Sequence, residues 1–341
     1  MFTRPITPLL KCSGIAFGSR TVASEEVDIA FGMSKGKLRE RAGIVSLAYA
    51  EDGETEVTLA ARAAEDCLRD ARVSPAAIDS IIACSETHHA FPSMAAQLHR
   101  AIGAGERCGA LDVGGACLGL LNALAIATSF VQSGQAGCVL VVTGDVHSRT
   151  LTSGRVSGEF GGLFGDGGSA FLVQHGGGSD SVENYFSPRD FFFGCASELQ
   201  EAIQISAERE DRLRVVFDGD ALSRAATTRL EWCIREIEKR SGVSRNEVGA
   251  FATHQPNPRL VRLLAKKSGV PIERFPLIAD TRGNLGSTTC AAALDSALRI
   301  ARKRVSSARQ PIFVASLGPG LLFAGGWLHP SRDRVDVERT G

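Results

Sequence analysis

The chain of 341 residues has 38 lysines and arginines against 38 aspartates and glutamates, with 44% hydrophobic and 22% charged residues. That balance is typical of a globular domain and excludes a disordered or fibrous chain, and a net charge of zero leaves no whole-surface field for nucleic acid or an anionic membrane. The length exceeds the size at which a single core usually stops growing, so two fused α/β halves are expected.

In chain order, Met1 to Ser19 lacks the apolar core of a leader segment. No run of about 18 uninterrupted apolar residues follows, so the expected compartment is the cytoplasm, away from membranes. Val57 to Ala71 repeats at helical spacing and turns at Ser74 to Asp79 into the apolar strand Ile81 to Cys84. Met94 to Ile102 is the next helix and Ala110 to Val113 the next strand. Gly114 and Gly115 then lead into an apolar helix, Leu118 to Val131, with Cys117 at its start. Strands are expected at Val139 to Thr143 and Ala170 to Gln174. The second half repeats the rhythm with helix Ala221 to Arg240, strand Ala250 to Thr253, helix Arg259 to Ser268, helix Thr289 to Lys303 and strand Pro311 to Ser316. This alternation implies an α/β fold with a mostly parallel central sheet. The glycines of His175 to Asp180 place the junction there and divide the chain into 1–176 and 177–341. Phe186 to Gly194 has no clear period and is expected to be a lid or an interface patch.

The nine cysteines (12, 67, 84, 108, 117, 138, 195, 233 and 290) are scattered, without a C-x-x-C pair. They are expected to be reduced, buried thiols, with neither a disulfide framework nor a metal site. Cys117 differs from the others in position. Unpaired N–H groups and the positive dipole end of a helix favour a thiolate, and Gly114, Gly115 and Ala116 would let a carbonyl approach the backbone closely. His254 follows the strand Ala250 to Thr253, where open α/β sheets place ligand-contacting groups. Asn284, between Gly283 and Gly286, can donate a hydrogen bond without adding charge.

Together these segments resemble the 3-oxoacyl-ACP synthase III group of the thiolase superfamily. The resemblance rests on Ala90-Phe91-Pro92-Ser93, Asp112-Val113-Gly114-Gly115-Ala116-Cys117, Phe164-Gly165-Asp166-Gly167, His254-Gln255-Pro256-Asn257 and Gly283-Asn284-Leu285-Gly286, all in the family order. It implies a thiolase-like fold, two pseudo-repeated βαβαβαββ halves in a layered αβαβα core. It also implies a two-stage reaction. Cys117 takes an acyl group from a thioester, and His254 and Asn284 then bind a malonyl thioester that loses carbon dioxide and attacks the acyl-enzyme. No metal or redox cofactor is called for; the substrates would be acyl-CoA or acyl-ACP and the malonyl thioester. By the same resemblance Phe91 lines the acyl pocket of a neighbouring subunit, implying a homodimer, and Asn257, Gly318 and Gly320 lie at the substrate. Arg259, Arg262, Lys266 and Lys267 share one side of a helix, a basic stripe to dock the acyl carrier protein.

Two features depart from the family pattern. Lys37 and Gly158 stand where a tryptophan and an arginine commonly sandwich the coenzyme A adenine, with Arg155 nearby as a substitute. Pro319 in Gly318-Pro319-Gly320 has no N–H for an oxyanion. The expected function is a decarboxylating condensing enzyme of fatty acid or specialised polyketide or quinolone-type synthesis. The alternative keeps the acyl-Cys117 stage but sends the acyl group to an alcohol or amine.

Overall fold

Local chemistry starts the first long helix. The Thr55 hydroxyl accepts the Thr58 N–H at 3.2 Å while the Thr58 hydroxyl accepts the Thr55 N–H at 2.7 Å, a reciprocal cap that satisfies two otherwise unpaired donors. The computed structural model describes residues 6–156, 158–176, 185–209, 212–305 and 308–331. Its strands are β1 Pro8–Phe17, β2 Arg20–Ala23, β3 Ser46–Tyr49, β4 Ser80–Cys84, β5 Gly109–Asp112, β6 Cys138–Val146, β7 Asp166–His175, β8 Phe186–Cys195, β9 Ile203–Arg209, β10 Arg212–Phe217, β11 Ala250–Thr253, β12 Ile312–Gly318 and β13 Leu322–Pro330. The helices are α1 Ser24–Ala30, α2 Lys37–Arg41, α3 Glu56–Ala71, α4 Met94–Ile102, α5 Gly119–Ser133, α6 His147–Thr150, α7 Glu159–Gly162, α8 Gly219–Ser241, α9 Pro258–Ser268, α10 Ala279–Arg282 and α11 Ser287–Arg302.

Nine strands run in the order β11-β12-β13-β8-β1-β7-β6-β4-β5. The expected mostly parallel sheet is corrected to a mixed one. Pairs β4–β5, β4–β6 and β11–β12 are parallel, whereas β6–β7, β7–β1, β12–β13 and β13–β8 are antiparallel. The turn Pro319–Leu321 between β12 and β13 is too short for the crossover that parallel neighbours need. The two halves of the sheet meet at one backbone pair, Leu10 with Phe186.

Apolar periodicity explains the layering. Helix α5 is apolar around most of its circumference and α11 is buried along most of its length, and they pack between the two halves against Val139, Val141 and Phe171 on one side and Ala252, Ile312 and Val314 on the other. Helices α3 and α4 cover the outer face of the first half through Leu59, Leu68 and Leu98. On the second half the outer cover is α8 and α9, through Ile234 and Leu264. The result is the helix, sheet, helix, sheet, helix order of the thiolase-like fold. The stretch Ala116–Ser133 is long and apolar enough to cross a membrane by composition, and its apolar side chains belong to this central layer.

Two further expectations are corrected. Phe186 to Gly194 is not a lid: it forms strand β8, with Phe186 and Phe192 buried. A register shift opposite Gly325 and Trp327, and Asp190 at φ +57°, break its alternation and hide the strand period. Nor are all the cysteines free. Cys12 of β1 and Cys67 of α3 are disulfide-bonded, their Cα atoms 5.4 Å apart, because the packing of α3 on β1 joins positions 55 residues apart. Cys195 is exposed rather than buried. Residues 177–184, most of the expected junction, lie outside the described residues.

Candidate active site

Four strand ends converge on one cavity. Cys117 sits in a tight turn, Ala116–Leu118, that leads directly into α5. The turn is strained, with Gly115 at φ +128° and the alanine Ala116 at φ +47°, a conformation that persists only where surrounding packing enforces it. Part of that enforcement is visible. The Ser316 hydroxyl donates to the Cys117 carbonyl at 2.6 Å, and a Cβ on Gly318 would come within 3.5 Å of the Cys117 nitrogen.

His254 follows β11 directly and is 3% exposed. Its backbone N–H donates to the Ala315 carbonyl at 2.9 Å, extending the β11–β12 pairing by one rung. Gln255 braces this loop: its carboxamide oxygen accepts from Ile278 and Ala279, and its NH2 donates to Pro276. Asn257 caps α9 by accepting the Leu260 N–H at 2.9 Å, which aligns the basic helix behind His254. Asn284 is equally fixed. Its Oδ1 accepts from the Gly286 N–H at 3.1 Å and the Thr289 hydroxyl at 3.3 Å, so the donor end of the carboxamide is the one left for the cavity.

Electrostatics correct the expected thiolate. Burial, followed by the charge of Glu86, drives the Cys117 thiol well above its ordinary pKa, so the resting cysteine is a protonated thiol. Burial also pushes His254 down to about 4, although the charge of Glu86 opposes the shift. The imidazole is therefore neutral at physiological pH.

Glu86 and His147 were not singled out from the sequence, although Glu86 lies two residues past the buried strand β4 and His147 directly follows the buried strand β6, where such sheets gather ligand contacts. His147 Nε2 lies 3.5 Å from Glu86 Oε2, and its Nδ1 donates to the Gly165 carbonyl at 3.2 Å. The ring stacks on Phe164 with centroids 4.7 Å apart. Burial opposes its charge, yet the facing Glu86 carboxylate and the charges of Asp145 and Asp166 raise it to about 9. Glu86 is held below the usual carboxylate range, burial being outweighed by His147 and His254. Asp145 anchors the group: its Oδ1 accepts the Glu86 N–H at 2.6 Å and its Oδ2 the Ser287 hydroxyl at 3.1 Å.

Cys117, His254, Asn284 and Glu86 all line a cavity of about 1250 Å³. Its apolar wall is built from Phe160 and Leu163 with Ile203, Val215 and Phe217 of the β9–β10 ribbon. Asn257 and Gly318 line it as well, and Arg259, Arg262 and Lys266 stand with Arg41 and Arg224 at its mouth. Other expected site residues are not brought there. Gly320 faces away, its carbonyl accepting from the Cys195 thiol at 3.5 Å. Lys267 turns to the Thr228 hydroxyl at 2.8 Å, and the Arg155 guanidinium donates to the Thr150 carbonyl at 2.9 Å rather than entering the cavity. Phe91 is 98% exposed, outside the cavity walls.

The profile of 3-oxoacyl-[acyl-carrier-protein] synthase III matches residues 111–187, and the profile of its C-terminal region matches residues 239–329. The chain is 33% identical over 266 residues to the beta-ketoacyl-[acyl-carrier-protein] synthase III of Bordetella petrii, covering 77% of this chain and 79% of that one. With the enzyme of the same name from Rhizorhabdus wittichii it is 30% identical over 292 residues, covering 85% and 90%. Among solved structures, 3-oxoacyl-[acyl-carrier-protein] synthase III of Aquifex aeolicus superposes with a TM-score of 0.83 at 26% identity, covering 94% of this chain and 99% of that one. The priming beta-ketosynthase of the R1128 polyketide pathway gives the same TM-score and identity, covering 97% and 98%.

Proposed function

The chain belongs to the 3-oxoacyl-[acyl-carrier-protein] synthase III family of acyl-transferring condensing enzymes, and on that premise we propose that Cys117, His254 and Asn284 carry the two stages of its reaction. The supporting observation is their convergence: three side chains from distant segments line one cavity whose mouth is basic and whose wall is apolar.

In the first stage the Cys117 sulfur attacks the acyl thioester carbonyl, the carbon–sulfur bond to the donor breaks, and the donor leaves as a thiol. In the second, the carbonyl of a malonyl thioester accepts hydrogen bonds from neutral His254 and from the Asn284 NH2. These donors are prealigned where enolate charge develops as carbon dioxide departs. The enolate carbon attacks the acyl carbonyl, the bond to sulfur breaks, and the departing Cys117 thiolate takes a proton from solvent. A neutral imidazole suits this role, because it donates without attracting the malonyl carboxylate.

The apolar wall of Phe160, Leu163, Ile203, Val215 and Phe217 is assigned to the acyl chain or pantetheine arm, and Arg259, Arg262 and Lys266 to the acidic carrier protein. Phe91, so exposed in one subunit, is assigned to the interface of a homodimer. The relatives are condensing enzymes, which favours decarboxylative condensation over transfer to an alcohol or amine. Fatty acid synthesis is the first pathway choice, with polyketide priming second on the likeness to the R1128 enzyme.

Intact mass after incubation with a panel of acyl thioesters tests the first stage: the wild type should gain the acyl mass and Cys117→Ala should not. Release of carbon dioxide from a malonyl thioester tests the second, and transfer without it would favour the acyltransferase alternative.

A further inference from the structure

The cavity holds a carboxylate that the two-stage reaction above leaves unused. Among the described residues Glu86 Oε1 is buried and finds no hydrogen-bond partner, an arrangement that costs free energy and calls for an explanation. The surroundings are built around it. A Cβ on Gly286 would meet Glu86 Oε1 at 2.7 Å and His147 Cε1 at 2.8 Å, so only a bare backbone at that position leaves room for the pair. Asp145 fixes the Glu86 backbone at 2.6 Å, and His147, packed on Phe164, faces the other carboxylate oxygen at 3.5 Å. Glu86 and Cys117 line the same cavity, and the charge of Glu86 helps to hold the thiol protonated at rest.

We propose that Glu86 is a further catalytic residue that accepts the Cys117 thiol proton during acylation, with His147 as its positioning partner. As the Cys117 sulfur bonds to the acyl carbon, the S–H proton passes to Glu86 Oε1; as the bond to the donor sulfur breaks, the same proton passes to the departing thiolate. Atoms and charge balance with no other reactant. His254 is the other basic group nearby, but as a hydrogen-bond donor to the malonyl carbonyl it must keep its N–H on the cavity side. Assigning the thiol proton to Glu86 removes the need for a change of tautomer between stages.

The proposal rests on Cys117 being the acylated residue, and single-turnover kinetics separate the two claims. In Glu86→Gln, acyl-enzyme formation followed by quenched intact mass should slow by roughly 10²-fold. Condensation started from enzyme already acylated should fall far less than acylation does, since no proton passes through Glu86 in that stage. Glu86→Asp should recover part of the acylation rate, and His147→Gln should lose about tenfold in acylation alone. Acylation of Glu86→Gln at or above the wild-type rate would overturn the role of Glu86 while leaving Cys117 intact. Acyl mass on Cys117→Ala would instead overturn the assignment of the nucleophile. Should Glu86→Gln fail to fold, the His147→Gln measurement decides: unchanged acylation there removes the proposal.

Discussion

The Ser316 hydroxyl donates to the Cys117 carbonyl at 2.6 Å, tying the strained turn that holds the nucleophile to a strand of the opposite half. That one buried bond connects residues 199 positions apart. Both partners lie in the interior, so neither finds water if the bond is lost.

Ser316→Ala should therefore destabilise the fold by about 1–3 kcal/mol. The same substitution should slow acylation by loosening the turn, and urea unfolding alongside single-turnover acylation checks both. A variant as stable as the wild type and equally fast would show that the turn is held by packing alone.

Gly286 is at φ +59° with no room for a methyl group beside Glu86 and His147. Replacing it by alanine should cost about 1–3 kcal/mol in backbone strain. Activity should fall further than stability, because the added carbon displaces groups in contact with the site. Comparison of the melting curve with kcat distinguishes the two losses.

His254→Ala and Asn284→Ala should each lower malonyl decarboxylation by about 10²–10³-fold, while the mass gained on Cys117 in the first stage persists. Loss of acylation in both variants would contradict the division of labour between the two stages.

Arg259 and Lys266 are exposed at the cavity mouth. Reversing both to glutamate should raise KM for carrier-bound substrate by about tenfold and leave KM for a coenzyme A or pantetheine thioester nearly unchanged. Added salt should shrink the wild-type advantage. Equal effects on both donors would point to a damaged pocket instead of a docking surface.

His147 faces Glu86, Asp145 and Asp166, and its folded pKa is raised from 6.5 to about 9. A raised imidazole stabilises the fold fully below pH 6.5 and loses that contribution as pH climbs to about 9. His254 has the opposite sign. Lowered from 6.5 to about 4, it makes the unfolded chain take up a proton that the folded chain refuses, so stability drops as pH falls through that window. The melting-temperature advantage of wild type over His147→Gln should be largest near pH 6 and fade toward pH 9; a constant difference would argue against the ion pair.

Much of this molecule was legible in one dimension. Helices α3, α4 and α9 have apolar stripes at helical spacing, and strands β4 and β11 are short apolar runs closed by turns, so their limits fell within a residue or two of expectation. Cys117 and His254 were readable because each stands in a short motif between a strand and a helix, and Asn284 because its glycine-flanked motif marks a turn, which the structure places between helices α10 and α11 and not after a strand. Strand β8 was not, since its bulge and the left-handed Asp190 disrupt the alternation on which such a reading depends.

What the amino-acid sequence determined alone was the order of elements and the residue types at their ends, both set by local periodicity and turn chemistry. Tertiary structure decided which of those ends meet. Burial and charge at Cys117 come from Glu86 and Asp145, across 31 and 28 residues of chain, and the disulfide of Cys12 with Cys67 depends on α3 packing against β1. Ionisation and covalent pairing respond to distance through space, and no spacing along the chain encodes it.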